Sequence, residues 1–145
     1  MSRENVEIAR RFFERLNRVQ AAFRTNRGPV SETPFIDEFF DALDPEVEWR
    51  WALNDETFRG REAMVRAATD FLDALDDWKS EVDDIVDAGG DRLVVAQRVS
   101  ARGKGSGTPF EQRVFSALRL RDGKVAQIHD YTDRADALKA VGLEA

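Results

Sequence analysis

Cysteine is absent from this chain of 145 residues, and histidine occurs once, as His129. Without cysteine there is no disulfide, no thiolate nucleophile and no sulfur ligand for a metal. One imidazole is too few for the multi-histidine sites that hold zinc. A metal would need carboxylate ligands alone, so we predict a protein that uses no metal and no other cofactor.

The chain also lacks a long apolar run. No stretch approaches the roughly 18 consecutive apolar residues of a membrane helix, and no apolar signal region precedes the first helical pattern. Positive charge is in the minority, because 28 acidic residues against 22 basic ones leave a formal net charge of -6. Such a chain repels a phosphate backbone. We therefore expect a cytoplasmic protein with neither a membrane nor a nucleic acid as its partner.

The chain contains enough apolar residues to form one hydrophobic core. Hydrophobic residues make up 42% of the chain and charged residues 34%, a mixture typical of globular proteins. A chain of this length is expected to bury about 68% of the surface that its unfolded form exposes. No repeat or linker divides the sequence, so we predict a single domain over residues 1–145.

Apolar spacing predicts three helices in the first half of the chain. Apolar residues recur at every third or fourth position up to about Phe23, again between Thr33-Pro34 and Asp44-Pro45, and a third time from Met64 to Leu75. The segment between the first two helices reads as a loop. A fourth, short helix is predicted after Asp133, which is suited to cap it.

The other segments have the alternation of strands. Val47 to Leu53 alternates with charged residues, which predicts a strand with two inward tryptophans. Trp78 to Tyr131 reads as four strands separated by turns. The order helix, helix, strand, helix and a four-strand meander predicts an α+β fold, with helices covering one face of a curved, mostly antiparallel sheet.

The turn near Asp122 decides which residues of the last two strands face inward, because a one-residue slip moves every side chain to the opposite face. A three-residue loop over 121–123 makes one face almost wholly apolar and pairs Ser116 with Ile128 and Val114 with Asp130. Asp130 is then a carboxylate at the edge of an apolar interior.

Neighbouring residues on a strand face opposite sides of a sheet, so His129 must point away from Asp130. We therefore do not expect these two residues to form a dyad within one subunit. His129, Phe115 and Tyr131 are predicted to lie together on the outer face, where an aromatic cluster would suit the interface of a homodimer.

Several short segments, in their order and spacing, resemble SnoaL-like domains of the nuclear transport factor 2-like superfamily: Glu4–Phe13, Asp44–Trp49, Phe58–Glu62, Arg121–Val125 and Asp130–Asp133. The resemblance covers nearly the whole chain. It implies a cone-shaped NTF2-like fold in which helices cover the concave face of the sheet. The stretch from about Ala21 to Phe35 looks longer than the usual link between the first two helices of this family.

The superfamily includes ketosteroid isomerases, polyketide cyclases, scytalone dehydratase and limonene epoxide hydrolase. Resemblance to the epoxide hydrolases places Asp130 in the role of one catalytic aspartate and turns Arg98 inward beside it. Ser100 stands where their second aspartate should be, and a serine hydroxyl is too weak an acid to replace it. The polyketide cyclases use a single aspartate at the equivalent of Asp130, and their partner histidine falls near Ser116.

The resemblance thus implies a catalytic pair and a set of residues in contact with a small apolar molecule. The catalytic pair is Asp130 and Arg98, and the predicted substrate contacts are Trp49, Ser100, Ser116, Phe13 and Leu118. Further aromatic residues that could line a cavity are Trp51, Phe40, Phe71 and Trp78. In the alternative interpretation Asp130 is a structural carboxylate paired with Arg98 or Arg113, and the aromatic residues fill the core.

Two classes of function follow. The first is a cofactor-independent isomerase, cyclase or hydratase that acts on a small apolar cyclic substrate with Asp130 as the acid/base group. The second is a non-catalytic ligand-binding or dimerisation module.

Overall fold

The computed structural model describes residues 2–25, 32–51, 56–73, 75–103 and 105–143. Over these residues the chain forms four helices: α1 (Ser2–Thr25), α2 (Ile36–Asp41), α3 (Arg61–Asp73) and α4 (Arg134–Ala140). It also forms six strands: β1 (Leu43–Arg50), β2 (Thr57–Arg59), β3 (Leu75–Asp87), β4 (Arg92–Gly103), β5 (Pro109–Arg121) and β6 (Lys124–Tyr131). Most of the predicted loop after α1 and the end of the predicted strand at Leu53 lie outside the described residues.

The strands form one sheet in the order β2-β1-β6-β5-β4-β3. β1 and β6 run parallel, and the other neighbouring strands are antiparallel. The predicted α+β fold with a mostly antiparallel sheet is confirmed. The parallel pair brings the early strand β1 next to the last strand, so side chains from both ends of the chain meet on one surface.

Apolar side chains on both faces of the sheet are covered by helices. On the inner face, three of them pack against α1: Leu93, Val95 and Leu118. On the opposite, outer face, a second cluster packs against α4: Val94, Ala96, Phe115 and Ala117. The last helix therefore covers the outer face, in contrast to α1.

The sequence of α1 explains its position on the inner face. Its buried residues follow helical spacing: Ala9, Phe12, Phe13, Val19 and Phe23. The rings of Phe12 and Phe13 meet edge to face, with their centroids 5.1 Å apart. Burying one such ring stabilises the fold by about 1.5–3 kcal/mol.

Two predicted boundaries near α2 were wrong. The helix begins at Ile36, because Phe35 has a positive φ of 71°, which no right-handed helix accommodates. Asp44 and Pro45 lie within β1 instead of ending the helix. The pairing of β1 with β6 is irregular between Leu43 and Glu48, which leaves room for a proline that cannot donate a ladder hydrogen bond.

The short strand β2 is not predicted from the sequence. It pairs with β1 at the edge of the sheet. Three residues are too few to show an alternation that could be recognised.

The hairpin between β5 and β6 has a two-residue turn, not the predicted three-residue loop. Asp122 and Gly123 both have positive φ, at 52° and 76°, and Arg121 lies opposite Lys124. Leu120 then faces Val125, but Arg119 faces Gln127, so Ala126 is an extra residue in β6. This bulge shifts the register by one residue.

With the bulge, Ser116 pairs with Asp130. The predicted partner of Ser116 was Ile128, two positions away. A shift of two residues leaves every side chain on the same face, so the predicted inward direction of Asp130 is right although its partner was not.

Among the helices that the structure describes, none combines the length and the apolar composition needed to cross a bilayer.

The cap of α4 gives a testable consequence. The Asp133 side chain accepts a hydrogen bond from the Ala135 amide at 2.7 Å. Asp133→Ala should lower the free energy of unfolding by about 1 kcal/mol, because this amide then loses its partner. Urea denaturation measures the loss, and Asp133→Ser should restore most of it. Equal stability of the alanine variant and the wild type would show that the cap contributes nothing.

Candidate functional site

Asp130 lies near the end of β6 on the inner face, with both carboxylate oxygens bonded to neutral groups. Ser116 Oγ on β5 donates to Asp130 Oδ1 at 2.6 Å. The Trp49 indole Nε1 on β1 donates to Asp130 Oδ2 at 2.9 Å. Strands from both ends of the chain thus hold this carboxylate.

A fourth strand contributes through Ser116. Gln97 on β4 directs its Nε2 to Ser116 Oγ, at 3.0 Å. Ser116 is 0% exposed and Gln97 6%, so both residues are buried. Gln97, Ser116 and Asp130 therefore form a continuous hydrogen-bond chain across three strands.

Burial dominates the ionisation of Asp130. The Asp130 residue as a whole is partly exposed, while protein atoms enclose its carboxylate group. Desolvation raises the pKa of Asp130 to about 6, while the hydrogen bonds from Ser116 and Trp49 and the charges of His129 and Arg50 act in the opposite direction. A carboxyl with this pKa exists in both forms near neutral pH.

Arg98 and Ser100 do not belong to this site, which corrects the placement that the resemblance implied. Both lie on the outer face, because β4 alternates without interruption and Val95 and Gln97 face inward. The Arg98 side chain is 48% exposed and lies 3.7 Å from Asp83 and 3.8 Å from Glu111. Arg98 thus forms ion pairs with surface carboxylates and does not contact Asp130, as its predicted role would require.

The alternative pairing of Asp130 with Arg113 is also wrong. Arg113 lies 3.7 Å from Asp83 and packs over the ring of Phe115 on the outer face. Among the described residues, the direct partners of the Asp130 carboxylate are neutral.

The predicted substrate contacts divide into two groups. Trp49 and Ser116 are in direct contact with Asp130, as described above. Phe13 and Leu118 are each only 1% exposed and belong to the core cluster. They have almost no surface to offer a ligand, so in this structure they fill the core and do not line a cavity.

The other aromatic candidates are mostly core or edge residues. Phe40 packs partly buried against the inner core, and Trp51 contacts Phe58 with their centroids 4.7 Å apart. Trp78 is half-buried. The side chain of Phe71 lies outside the described residues.

His129 faces the outer side, as predicted, and forms no dyad with Asp130. Its Nε2 lies 2.6 Å from Glu48 Oε2, and this contact holds the pKa of Glu48 below its usual value. Tyr131 packs beneath the guanidinium of Arg50 at 4.8 Å. Phe115 shares this face but is only 5% exposed, because α4 packs over it.

Gln97 is the residue of the site that the sequence analysis missed. A signal was present, since Gln97 interrupts an apolar series at alternate positions of β4: Leu93, Val95, Val99 and Ala101. A polar residue on a buried face needs a hydrogen-bond partner, which here is Ser116.

The arrangement is suited to proton transfer by one carboxyl group. Its hydrogen-bond donors are neutral, protein atoms enclose it, and burial raises its pKa to about 6. Within the described ranges, no three His, Asp or Glu side chains converge as a metal site would require.

The raised pKa makes stability depend on pH. A group whose pKa is raised on folding contributes stability that is complete below its unfolded value of about 3.9 and is lost as the pH rises through about 6. Between about pH 4.5 and 7.5 the wild type should therefore lose about 2 kcal/mol relative to Asp130→Asn, which carries no charge at this position.

Urea denaturation of both proteins at the two pH values measures this difference. Asp136→Asn on the exposed side of α4 is the matched control for the loss of one negative charge. A wild type that gains stability relative to Asp130→Asn as the pH rises would mean that the carboxylate is stabilised in its charged form, as a structural ion pair would be.

Comparison with known proteins agrees with this fold. The family model of the SnoaL-like domain matches residues 9–128. No curated protein matches the chain.

Solved structures share the architecture at low identity. An NTF2-like protein of unknown function from Burkholderia pseudomallei is 16% identical, with a TM-score of 0.70 over 98% of this chain and 99% of that one. A candidate SnoaL-like polyketide cyclase from a Jannaschia species is 16% identical, with a TM-score of 0.67 over 100% of this chain and 96% of that one. SalBIII, an epoxide hydrolase/cyclase-like enzyme with a role in pyran ring formation in the polyether salinomycin, is 13% identical, with a TM-score of 0.67 over 92% of this chain and 94% of that one. The chain therefore has the NTF2-like fold, and it belongs to the family of SnoaL-like domains.

Proposed function

We propose that this protein is a cofactor-independent isomerase or cyclase in which Asp130 moves a proton on a small, neutral, apolar cyclic substrate. The observation that carries the proposal is a buried carboxyl group held by two neutral donors, Trp49 and Ser116. A structural carboxylate is usually paired with a cation, which keeps it charged. Asp130 has no such contact among the described residues.

The chemistry follows from the pKa of Asp130, which burial raises to about 6. The charged carboxylate takes a proton from a carbon next to a carbonyl group, and the electron pair of the broken C–H bond moves toward the carbonyl oxygen. Asp130 then holds the proton and returns it to another carbon, which shifts a double bond, or to an oxygen during ring closure. A pKa near the working pH suits a group that acts first as base and then as acid.

The neutral surroundings of Asp130 also indicate the substrate class. No cationic side chain of the described residues contacts the carboxylate, so an anionic substrate group would find no cationic partner there. Trp49 offers a flat apolar surface next to the reacting oxygen atoms. A small cyclic ketone or a related neutral carbon acid fits these properties.

Structural relatives support the cyclase option, while the positions of Arg98 and Ser100 in this structure argue against epoxide hydrolysis. A candidate polyketide cyclase and an epoxide hydrolase/cyclase-like enzyme share the fold. The Asp-Arg-Asp arrangement of the limonene epoxide hydrolases would need Arg98 beside Asp130 and an acid at position 100. Here Arg98 and Ser100 lie on the outer face of the sheet.

A second candidate is a non-catalytic ligand-binding or dimerisation module. It is favoured by the close packing around the site, where Phe13, Leu118 and Ser116 are at most 1% exposed. A packed inner face limits the size of any substrate. Turnover distinguishes the two candidates, since a binding module would show none.

Proton exchange tests the enzyme directly. Small cyclic ketones in D₂O lose their α-protons slowly, and the wild-type protein should speed the uptake of deuterium, measured by NMR. Asp130→Asn should reduce this rate by a factor of about 10²–10⁴, because a general base is lost while the shape of the side chain is retained.

The matched control is Arg98→Gln. This residue is exposed and its ion pairs lie on the outer face, so the substitution should leave the exchange rate unchanged. Equal rates with wild type and Asp130→Asn would overturn the proposed role of Asp130, and no acceleration of any ketone by the wild type would favour the binding module.

We also propose that the outer face forms a homodimer, with His129 and Tyr131 at the interface. Both are partly exposed on a sheet surface that α4 does not fully cover. Light scattering at tens of micromolar should then give twice the 16.5 kDa of one chain, because an interface of standard size, about 1,600 Å² in total, persists at such concentrations. Tyr131→Glu should reduce the mass toward that of one chain, and a monomeric wild type would contradict the proposal.

A further inference from the structure

Asp130 is satisfied by donors in its charged form, and the same neighbours must accommodate it when it takes up a proton. Ser116 is fully buried, so its hydroxyl needs both of its hydrogen-bond partners from the protein. Trp49 cannot adjust, because an indole N–H only donates. The hydrogen bonds that must change are therefore those of Ser116 and of its other partner, Gln97.

When Asp130 is charged, each hydrogen in the hydrogen-bond chain of Gln97, Ser116 and Asp130 points toward the carboxylate. Gln97 Nε2 donates to Ser116 Oγ at 3.0 Å, and Ser116 Oγ donates to Asp130 Oδ1 at 2.6 Å. A carboxamide has donors on nitrogen and an acceptor on oxygen, and its two ends have nearly the same shape. A half turn of the amide therefore presents Oε1 to Ser116 within the same space.

We propose that Gln97 is a positioning residue whose amide turns over when Asp130 gains or loses a proton, which reverses the hydrogen-bond chain through Ser116. With the proton on Asp130 Oδ1, this O–H donates to Ser116 Oγ, and the Ser116 hydroxyl donates to Gln97 Oε1. Each of the three groups keeps its partners in both states. A lysine or arginine at position 97 could only donate and would allow one state alone.

The surroundings of Gln97 permit such a turn. Its other amide end makes no hydrogen bond to the described residues, so turning breaks no second bond. The nearest charges that act on Asp130 are those of His129 on β6 and Arg50 on β1, whose side chains lie on the outer face. On the inner face, no charged side chain of the described residues fixes the direction in which the hydrogen bonds of Gln97, Ser116 and Asp130 point.

The catalytic consequence rests on the proposed function. A group that acts as a base and then as an acid must be stable in both forms, and the reversible chain provides a satisfied state for each. The reversal of the hydrogen-bond chain can be tested without a substrate.

NMR titration of the wild-type protein is the experiment. The carboxyl carbon of Asp130 and the side-chain amide of Gln97, both labelled with ¹³C and ¹⁵N, are followed from about pH 4 to 8, a range that spans the ordinary and the raised pKa of a buried carboxyl. We expect the Gln97 resonances to change with the same midpoint as the Asp130 carbon. Gln112, whose Nε2 donates to the Arg113 carbonyl, is the internal control and should not follow that midpoint.

Two variants test the path of the coupling. Ser116→Ala should abolish the response of Gln97 and raise the Asp130 midpoint by about one unit, since the charged form loses a donor. Asp130→Asn should also abolish the response of Gln97, and it keeps the proposal testable if Ser116→Ala does not fold. Gln97 resonances that stay constant while Asp130 titrates, or that still follow the titration without Ser116, would overturn the proposal.

The outcome is separate from that of the proposed function. If the protein does not speed deuterium uptake by any ketone while the Gln97 resonances titrate with Asp130, the reversible hydrogen-bond chain exists in a protein that does not catalyse this reaction. If exchange occurs while Gln97 stays constant, the enzyme is supported and the reversible chain is rejected.

Discussion

The direction of every side chain near the end of β6 depends on one extra residue at its start. The tight turn at Asp122 and Gly123 sets one register, and the bulge at Ala126 shifts it by one residue. Without the bulge the same turn would place His129 opposite Ser116 and on the inner face. A local backbone irregularity thus decides that a carboxylate, and not an imidazole, lies on the inner face beside Ser116.

Placing a carboxylate there costs free energy that its partners offset only in part. Ser116 and Trp49 stabilise the charge through hydrogen bonds, but desolvation is the larger effect and the pKa rises to about 6. A nearby guanidinium would have removed this penalty and fixed the charge. Arg98 does not supply such a contact, because it lies on the outer face, paired with Asp83 and Glu111.

The two faces of the sheet carry different helices and different polar side chains. The inner face packs against α1 and ends in the polar chain of Gln97, Ser116 and Asp130. The outer face is covered by α4 near Phe115, and it carries the His129–Glu48 pair farther along the sheet. Strand alternation separates the two sets completely, so residues adjacent in sequence serve different surfaces.

The sequence by itself determined the order of most helices and strands and the cap at Asp133, because alternation and helical spacing are local properties of the chain. The apolar pattern of the last two strands also predicted the inward direction of Asp130, although the turn and the bulge that produce this direction were not predicted. The sequence did not determine the start of α2 at Ile36, the strand β2 or the bulge at Ala126, which depend on contacts with distant segments. Resemblance placed Arg98 beside Asp130, but strand parity on β4 turned it outward and Gln97 inward. Only the tertiary structure decided which neutral side chains surround the carboxylate, because Trp49, Gln97 and Ser116 come from three strands that meet only when the sheet is complete.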